Sequence, residues 1–404
     1  MAEDDDTAHP PTDTPPDAPG RPRRRRRWLM ITAGVVAFLL VATGVLLWIA
    51  YRKLDGNIRT DTATDKLLAK LEAERPSRTA GAKGAENILL IGSDDRSGAN
   101  GAYGGESGTQ RSDTTILLHL AADRRHATAV SVPRDVMVTV PACEKPDGTR
   151  SKPALMQFNW AFELGGPACS IRTVEQLSGI RVDHYVILDF NGFKSMVDAV
   201  GGVEVCVPQP IHDKDAKLDL PAGRQTLQGE QALGYVRARE SLGDGSDTQR
   251  MGRQQQFLAA LIRKVQSQGV LLNPAKLWPV LDAATSSVKA DGGLSSLGAL
   301  YDLTQDLRGI PSADVVFLTA PRRPYHYDSD RDEFVQPQTG QLFAALREDR
   351  RITVRPPGSE PTPTAGASPA SDGAAGASPS ASPTAGASPV FEGRTADVDA
   401  CPQH

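Results

Sequence analysis

Short clusters that combine aspartate with arginine are the residues of this sequence best suited to chemistry. Each cluster adjoins an apolar run typical of a β-strand, either just after the run or just before it. In an open α/β sheet, ligands bind at the carboxyl ends of the strands, so such side chains can meet around one ligand. The clusters hold Asp94, Arg111, Asp113, Arg134 and Asp135.

A second set of polar residues lies further along the chain, in the segments 235–239 and 247–254. It contains four arginines and a glutamine: Arg237, Arg239, Arg250, Arg253 and Gln254. Arginine binds phosphate oxygens bidentately and stays charged, and Mg²⁺ prefers one or two carboxylates together with phosphate oxygens. Taken singly, each cluster could form no more than a surface salt bridge. Together they predict a site for a diphosphate and a divalent metal, in an enzyme or in a receptor.

Apolar periodicity predicts the elements that position these residues. Short runs typical of strands are Asn87–Ile91, Thr114–Leu120, Ala127–Val132, His184–Leu188, Val203–Val207 and Val315–Leu318. Longer periodic stretches typical of helices are Asn191–Val200, Gln254–Gln266, Leu294–Leu307 and Gly340–Asp349. Strands that alternate with helices predict a layered α/β fold around a central sheet, with one core rather than two. We therefore predict a single catalytic domain over residues 85–352.

An uncharged apolar stretch extends from Trp28 to Tyr51 and is long enough to cross a bilayer as a helix. It is longer than the apolar region of a signal peptide and lacks a small-residue cleavage site, so we expect a retained anchor. Six arginines between Arg21 and Arg27 precede it. Basic residues favour the cytoplasmic side. We therefore expect a single-pass protein of the cell membrane, with a cytoplasmic N-terminus and an extracellular catalytic domain.

Three further segments have compositions that do not support a core. Residues 1–27 are polar and proline-rich and are predicted to be a disordered cytoplasmic tail. Residues 52–84 are predicted to be a juxtamembrane stalk with one short helical pattern. Residues 353–404 are rich in Pro, Ser, Ala and Gly. This composition predicts a low-complexity tail, which either spans the wall matrix or is simply disordered.

The overall composition narrows the classes of function. A net charge of −4 over 404 residues argues against a protein that binds nucleic acid. The four cysteines lack the C-x-x-C spacing of zinc sites and thioredoxin-type sites. Cys143 and Cys169 stand in loop-like sequence of one region, so we expect them to form a disulfide. Four free thiols remain the alternative, because pairing cannot be read from sequence alone.

Read in order, the motifs resemble those of the LytR–CpsA–Psr family of cell-wall glycopolymer ligases, in its actinobacterial type. The matching segments are NILLIGSDDR, RSDTTILLHL, SVPRD, DHYVILDFNGFKSMVDAVGGVEVCV, LPAG, YVRAR and DTQRMGRQQQFL. The resemblance covers about 85–268 and continues weakly to about 350. It implies a three-layer α–β–α fold with a central mixed sheet and an apolar tunnel for a polyprenyl chain. Candidates for the tunnel lining are Phe190, Phe193, Met196 and Val200, and ordinary core packing is the favoured alternative for most of them.

The resemblance also implies roles for individual residues. Asp94 and Asp113 match the acids that accompany Mg²⁺ or Mn²⁺. The implied diphosphate-binding set is Arg111, Arg134, Arg237, Arg239, Arg250, Arg253 and Gln254. Asp113, Arg134 and Asp135 are the implied catalytic residues, and both aspartates are candidates for the group that takes the proton. The sequence departs from the family at Val136–Val138, where some members carry an arginine, and at Gln157, where the family has lysine.

The implied reaction transfers a glycopolymer from a polyprenyl-diphosphate carrier to a muramic-acid hydroxyl of peptidoglycan, forming a phosphodiester. The implied partners are the lipid-linked glycopolymer, peptidoglycan and the membrane. Teichoic acid, arabinogalactan and other anionic glycans all remain open as the polymer. Two other functions also remain open. One is a sensor or regulator that binds the polyprenyl diphosphate, and the other is a pyrophosphatase that uses water at the same site.

Overall fold

The computed structural model describes residues 23–79, 82–94, 112–238, 247–267, 274–359 and 389–398. The chain divides into two compact units, residues 1–52 and 53–404. Helix α1 runs over Arg23–Asn57, so it begins inside the tail predicted to be disordered. Its part Arg27–Asn57 is long and apolar enough to cross a membrane, judged by length and composition, and it contains the predicted span.

The second unit alternates strands and helices, as the sequence predicted. Its helices are α2 Thr62–Lys70, α3 Trp160–Ser178, α4 Phe190–Ala199, α5 Gly229–Arg237, α6 Asp247–Ser267, α7 Pro274–Ser287, α8 Leu297–Arg308 and α9 Gln338–Arg347. Its first strands are β1 Arg59–Thr60, β2 Glu86–Ser93, β3 Ser112–Leu120, β4 Ala127–Val132, β5 Met137–Val140, β6 Ala154–Gln157, β7 His184–Leu188, β8 Val203–Val207 and β9 Ile211–Asp213. The remaining strands are β10 Leu218–Leu220, β11 Gly223–Leu227, β12 Val288–Ala290, β13 Val315–Thr319, β14 Arg322–Tyr325, β15 Asp328–Phe334, β16 Thr353–Arg355 and β17 Val390–Thr395.

Nine of these strands form the central sheet, in the order β1-β12-β7-β2-β3-β4-β13-β17-β16. The sheet is mixed, because β3 is antiparallel to both β2 and β4, whereas β7 and β13 run parallel to their neighbours β2 and β4. The pairs β5–β6, β8–β11, β9–β10 and β14–β15 are separate antiparallel hairpins or ribbons. The predicted strand Val203–Val207 therefore forms, but outside the central sheet.

Helices cover both faces of this sheet. Successive side chains of a strand point to opposite faces, and on β3 Leu117 packs with α3 and α9, while Ile116 and Leu118 pack with α6 and α8. A third apolar cluster joins α4, α5 and α6 to the ribbons β8–β11 and β9–β10. The three-layer α–β–α architecture with a central mixed sheet is confirmed.

The predicted disulfide between Cys143 and Cys169 is present. Cys169 lies inside α3, directly after a kink at Gly165, Gly166 and Pro167 where the backbone leaves helical geometry. That kink explains why the sequence there looked like a loop. It also allows a close approach, because a Cβ added at Gly165 would lie 2.8 Å from the carbonyl oxygen of Glu144. The bond therefore ties the start of α3 to the segment after β5.

The folded unit begins earlier than the sequence indicated. The predicted stalk 52–84 contains β1, which joins the edge of the central sheet, and α2, whose Leu68 lies in the main core. After α2, the Arg75 guanidinium donates to the buried carboxylate of Glu175 on α3, with Nη2 at 2.7 Å from Oε1. The segment is short and mostly polar, so its few apolar residues were not enough to predict that it packs on the core.

The predicted low-complexity tail 353–404 also contributes to the sheet. β16 and β17 pair with each other in parallel, and β17 pairs antiparallel with β13. Phe391 on β17 is buried in the main core. The predicted boundary at residue 352 therefore cuts through the sheet rather than marking its end.

Candidate functional site

Asp94 and Asp113 lie at one end of the β2–β3 pair. Gly92 pairs with Thr114 and Ser93 pairs with Ser112, so Asp113 is the extra residue of a β-bulge. A bulge bends its strand and changes the direction of the side chain at that point, and bulges are common beside active sites. Asp94 follows Ser93 directly. The register therefore brings both predicted metal-associated acids to the same end of the sheet.

Arg134 is held between two carboxylates just beyond the end of β4. Its Nη1 donates to Oδ1 of Asp113 at 2.7 Å, and its Nε donates to Oδ2 of Asp135 at 3.0 Å. Burial disfavours the charged guanidinium, but the carboxylates of Asp113 and Asp135 outweigh burial and raise the pKa of Arg134. This arrangement fixes the plane of a permanent cation at the site.

The residue that departs from the family's lysine supports this arrangement. Gln157 at the end of β6 donates from Nε2 to Oδ1 of Asp135 at 2.8 Å. Beside it, the backbone N–H of Asn159 donates to the carbonyl oxygen of Arg134 at 3.0 Å. Both oxygens of Asp135 are thus engaged, one by Gln157 and one by Arg134. A neutral amide orients the carboxylate here without adding a second cation.

Helices α5 and α6 supply the other arginines. Arg250 donates from Nη2 to the backbone carbonyl of Asp113 at 3.2 Å, which joins α6 to the bulge. Arg253 donates to the carbonyl of Ala238, and Gln254 donates to the carbonyl of Val236 at 3.2 Å. Burial lowers the pKa of Arg253. These two residues of α6 therefore hold the C-terminal end of α5, which carries Arg237.

Four predicted residues line one cavity of about 330 Å³: Asp113, Arg134, Arg237 and Arg250. Sequence analysis missed three others that line it, Asp213, Asp215 and Ala216. The acidic residues at and just after the end of β9 could have indicated this part of the site, but they are not adjacent in sequence to any predicted arginine cluster. Asp213 also orders its own turn, because Oδ1 accepts from the N–H of Ala216 at 2.8 Å.

The remaining predicted residues fall outside this cavity or outside the described residues. Arg253 and Gln254 do not line the cavity, because they donate to backbone carbonyls at the end of α5. Asp135 contributes to the cavity by binding Arg134. Asp94 follows β2 at the same end of the sheet. Arg111 and Arg239 lie outside the residues that the structure describes, so their predicted contacts with a diphosphate stay predictions.

The apolar side chains of the amphipathic helix α4 begin beside the polar cavity. The guanidinium carbon of Arg237 lies 4.7 Å from the centre of the Phe190 ring, at the start of α4. Phe190, Phe193 and Met196 of α4 are only half-buried. The Phe193 ring lies 5.4 Å from that of Phe257 on α6. Val200, the residue after α4, is also half-buried.

A glycine brings α4 and α7 close together. A Cβ added at Gly192 would lie 2.6 Å from the carbonyl oxygen of Ser287, the last residue of α7. Asp189 caps α4 at the same point, because its Oδ1 accepts from the N–H of Gly192 at 2.7 Å. Half-buried apolar side chains therefore lie beside the arginine cavity, although a continuous tunnel stays a prediction.

Comparison with known proteins gives consistent results. The LytR_cpsA_psr family model matches residues 54–348. The chain is 35% identical over 290 residues to a probable cell wall biosynthesis protein, LcpB, of Corynebacterium glutamicum, covering 69% of this chain and 64% of that one. It is 36% identical over 267 residues to the cell wall biosynthesis protein LcpA of the same species, covering 59% and 50%. The chain thus spans between half and two thirds of the length of these two relatives.

Other relatives have names that state an activity. The chain is 29% identical over 297 residues to TagT of Bacillus subtilis, a polyisoprenyl-teichoic acid–peptidoglycan teichoic acid transferase, covering 72% of this chain and 85% of that one. Among solved structures, B. subtilis TagV matches with a TM-score of 0.52 and 27% identity, covering 66% and 97%. A LytR-Csp2A-Psr enzyme of Actinomyces oris matches in fold, with a TM-score of 0.51, 21% identity and coverage of 67% and 93%. With the family model matched from the start of the second unit through α9, the chain belongs to the LytR–CpsA–Psr family.

Proposed function

We propose that this protein is a phosphotransferase that moves a glycopolymer from a polyprenyl-diphosphate carrier to peptidoglycan. The observation that carries the proposal is the contact between Arg237 and Phe190, 4.7 Å from guanidinium carbon to ring centre. It joins a cavity lined by arginines and aspartates to the apolar side chains of α4. A molecule with an anionic head and a greasy tail matches both sides of that contact. Polyprenyl diphosphate has this chemistry.

The arginines act by position and charge. Arg134, Arg237 and Arg250 all line the cavity and can bind the oxygens of the diphosphate. In the reaction, a hydroxyl oxygen of the acceptor bonds to the sugar-proximal phosphorus, and the bond from that phosphorus to the bridging oxygen breaks. Polyprenyl phosphate leaves with the electron pair, and the hydroxyl proton passes to Asp113 or Asp135. Fixed cations stabilise the charge that develops on the phosphoryl oxygens.

A divalent metal fits this donor set. Mg²⁺ takes one or two carboxylates and completes its shell with water and phosphate oxygens, and the β2–β3 register supplies Asp94 and Asp113. Among the described residues, no group of three or more acids, histidines or cysteines is arranged to hold a metal without such a ligand. When bound, Mg²⁺ or Mn²⁺ would neutralise charge on the diphosphate.

The proposed place of action is the outer face of the cell membrane. The span Arg27–Asn57 can act as an anchor by its length and composition, and the arginines that precede it favour a cytoplasmic N-terminus. Relatives are named for cell-wall biosynthesis or for transfer of teichoic acid to peptidoglycan. We accordingly place the catalytic domain outside the membrane, with an anionic glycopolymer as the transferred group.

The test uses the full-length protein in detergent, with a lipid-diphosphate-linked glycan and Mg²⁺. We expect release of polyprenyl phosphate, and loss of at least 100-fold in rate for Arg237→Ala, because one transition-state donor contributes roughly 10²–10³ in rate. Arg350→Ala, an exposed arginine that pairs with Glu348 after α9, is the matched control and should keep full activity. Full activity in Arg237→Ala would remove that residue from the site.

The same assay separates the three candidate functions. With peptidoglycan fragments present, a transferase forms a phosphodiester-linked product, whereas a pyrophosphatase releases the phosphorylated polymer whether or not the fragments are added. A sensor binds the lipid and releases neither product. Either of the last two outcomes would refute the proposed transfer.

A further inference from the structure

A second, larger cavity of about 1010 Å³ lies next to the proposed diphosphate site. One wall is the β14–β15 hairpin, another is β17, and its inner end is formed by Asp135, Gly252 and Gln255. We call it the hairpin cleft. The diphosphate cavity and the hairpin cleft share no lining residue, but Arg134 lines the first, Asp135 lines the second, and the two are hydrogen-bonded to each other.

The hairpin is fastened to the proposed catalytic turn. The N–H of Asp332 on β15 donates to the carbonyl oxygen of Asp135 at 3.2 Å. Val136 forms a parallel β-bridge with Asp332. On the opposite side, Nε2 of Gln255 donates to Ser131 Oγ at 3.1 Å and to Thr319 Oγ1 at 3.0 Å. The cleft is therefore a built part of the site, with a rigid floor next to Arg134.

Two arginines of the cleft have unused donors. Arg322 and Arg323 are paired with carboxylates of the hairpin, Asp332 and Glu333. In contrast, the half-buried side chain of Arg394 on β17 forms no ion pair or hydrogen bond with the residues that the structure describes. Nε of Arg355 on β16 is buried and lacks a hydrogen-bond partner among the described residues, although Nη2 of the same side chain lies 3.7 Å from Oε1 of Glu392. A buried donor without a partner is costly, so Nε of Arg355 favours an anionic ligand, and Arg394 adds a further charge to the same cleft.

The tip of the hairpin carries a cluster of aromatic rings. The ring of His326 lies 3.8 Å from that of Tyr327, and the Tyr325 ring lies 5.5 Å from Tyr327. Tyr327 is 80% exposed, which leaves an apolar ring face with a polar edge open at the surface. A flat ring of this kind packs on the apolar face of a sugar ring while its hydroxyl reaches water.

We propose that the hairpin cleft binds the acceptor, a glycan strand that carries carboxylate groups. Arg394 and Arg355 bind the carboxylates, and the attacking hydroxyl enters beside Asp135. Tyr327, at the tip of the hairpin that forms one wall, packs on a sugar ring of the strand beyond the cleft. Asp135 then takes the hydroxyl proton as the new bond to phosphorus forms and polyprenyl phosphate leaves. This inference rests on the proposed function, because it assigns the acceptor side of the same reaction.

The test measures the rate of polymer transfer against the concentration of a soluble, uncross-linked peptidoglycan fragment that contains muramic acid and its peptide. Full-length Tyr327→Ala and Arg394→Gln should each raise KM for the fragment at least tenfold, with kcat changed less than threefold. Affinity for the lipid-diphosphate donor should not change. Tyr301→Ala is the matched control, since Tyr301 is an exposed tyrosine of α8.

The variants keep the test informative. Tyr327 is so exposed that its replacement should not affect folding, whereas Arg394 lies in a sheet strand and its variant is checked by thermal unfolding. An unchanged KM for the fragment in Tyr327→Ala and in a folded Arg394→Gln would overturn the acceptor assignment. Failure of the wild-type protein to release polyprenyl phosphate from the donor would instead overturn the proposed function.

Discussion

Replacement of Arg134 separates its role in the reaction from its role in the fold. Its guanidinium forms two charge-assisted hydrogen bonds, to Asp113 and Asp135, and its side chain is 22% exposed. Each such bond contributes about 1.5–3 kcal/mol, and partial exposure favours the lower figure. Arg134→Gln should therefore lower the free energy of unfolding by about 3 kcal/mol. It should also lower the rate of polyprenyl phosphate release by roughly 10²–10³, since a fixed donor to the phosphoryl group is lost.

The rate of polyprenyl phosphate release by Arg134→Lys should lie between the rates of the wild type and Arg134→Gln. An ammonium keeps the charge but is a single point donor, whereas the guanidinium presents separate N–H groups to the two carboxylates. The lysine charge still attracts the phosphoryl oxygens but is less well placed, so the rate should fall about tenfold, which corresponds to about 1.4 kcal/mol of transition-state stabilisation. Single-turnover release of polyprenyl phosphate, normalised to the folded fraction at each temperature, gives this ranking directly.

Arg124 provides the matched control for folding. It also bridges two carboxylates, Glu86 and Asp306, and its side chain is 26% exposed. It precedes β4, at the opposite end of the strand from Arg134. Arg124→Gln should therefore show a similar loss of stability with normal activity per folded molecule. Equal activity losses in both glutamine variants, or full activity in Arg134→Gln, would refute the assignment of Arg134 to the reaction.

Three further predictions concern the scaffold. Glu175→Ala removes the buried carboxylate that the Arg75 guanidinium binds, leaving it the carbonyl of Val182 and the exposed Glu72, and should cost up to about 3 kcal/mol in urea unfolding. A cost below about 1 kcal/mol would mean that the segment before β2 is not part of the fold. Cys143→Ala with Cys169→Ala removes the disulfide, whose cysteines have a sequence separation of 26. The free energy of urea unfolding should fall by about 3 kcal/mol. Equal stability of the reduced and the oxidised wild type would contradict this expectation. Burial lowers the pKa of His119 in the folded protein below its ordinary 6.5. Between the folded and the unfolded pKa the unfolded chain binds more protons, so stability falls as pH decreases. His119→Gln should therefore flatten the decrease of Tm between about pH 7 and 5, and an unchanged slope would show that His119 does not cause this decrease.

The surroundings of His119 account for the direction of its pKa shift. Nδ1 lies 2.8 Å from Oδ1 of Asn87, and Nε2 lies 2.9 Å from Oδ1 of Asp349. The carboxylate favours protonation, and so does the charge of Asp183, whereas His126 opposes it. Burial is the largest effect of all, because the ring is 1% exposed. Burial therefore disfavours the charged imidazolium of His119 in the folded protein.

The sequence predicted the central elements well because their signals are local. Long apolar runs gave β2, β3, β4, β7 and β13, and strong helical periodicity gave α4, α6, α8 and α9. Asp113 and Arg134 adjoin these same strands, so predicting the strands placed them, whereas Arg237 and Arg250 lie on helices and were predicted from their own polar motifs. Asp113, Arg134, Arg237 and Arg250 do line one cavity.

The parts that could not be predicted depend on contacts between distant residues. The bulge at Asp113 exists only through the register with β2. Arg253 and Gln254 belong to the same polar motif as Arg250, yet they bond to the end of α5, because successive residues of a helix point in different directions. The acids after β9 reach the cavity through the packing of a separate ribbon, which no local pattern reports.

The most instructive difference is β17. Parallel neighbours such as β16 and β17 need a crossover of a dozen or more residues, and the Pro-, Ser-, Ala- and Gly-rich segment 356–389 supplies that length. The low-complexity composition of this segment conceals the strand after it, in which Phe391 is the large buried side chain. Gly393 is required there, since an added Cβ would lie 2.5 Å from the carbonyl oxygen of Phe317.

The described residues of β17 line one of the two cavities. The walls of the diphosphate cavity come from β3, the turn after β4, the β9 region, α5 and α6, whereas β17 forms a wall of the hairpin cleft. The segment that looks least structured in the sequence thus contributes a wall to the hairpin cleft, and its described residues do not line the diphosphate cavity. If the hairpin cleft binds the acceptor, changes in residues 390–395 that preserve the strand alter the choice of acceptor while the affinity for the lipid carrier stays constant.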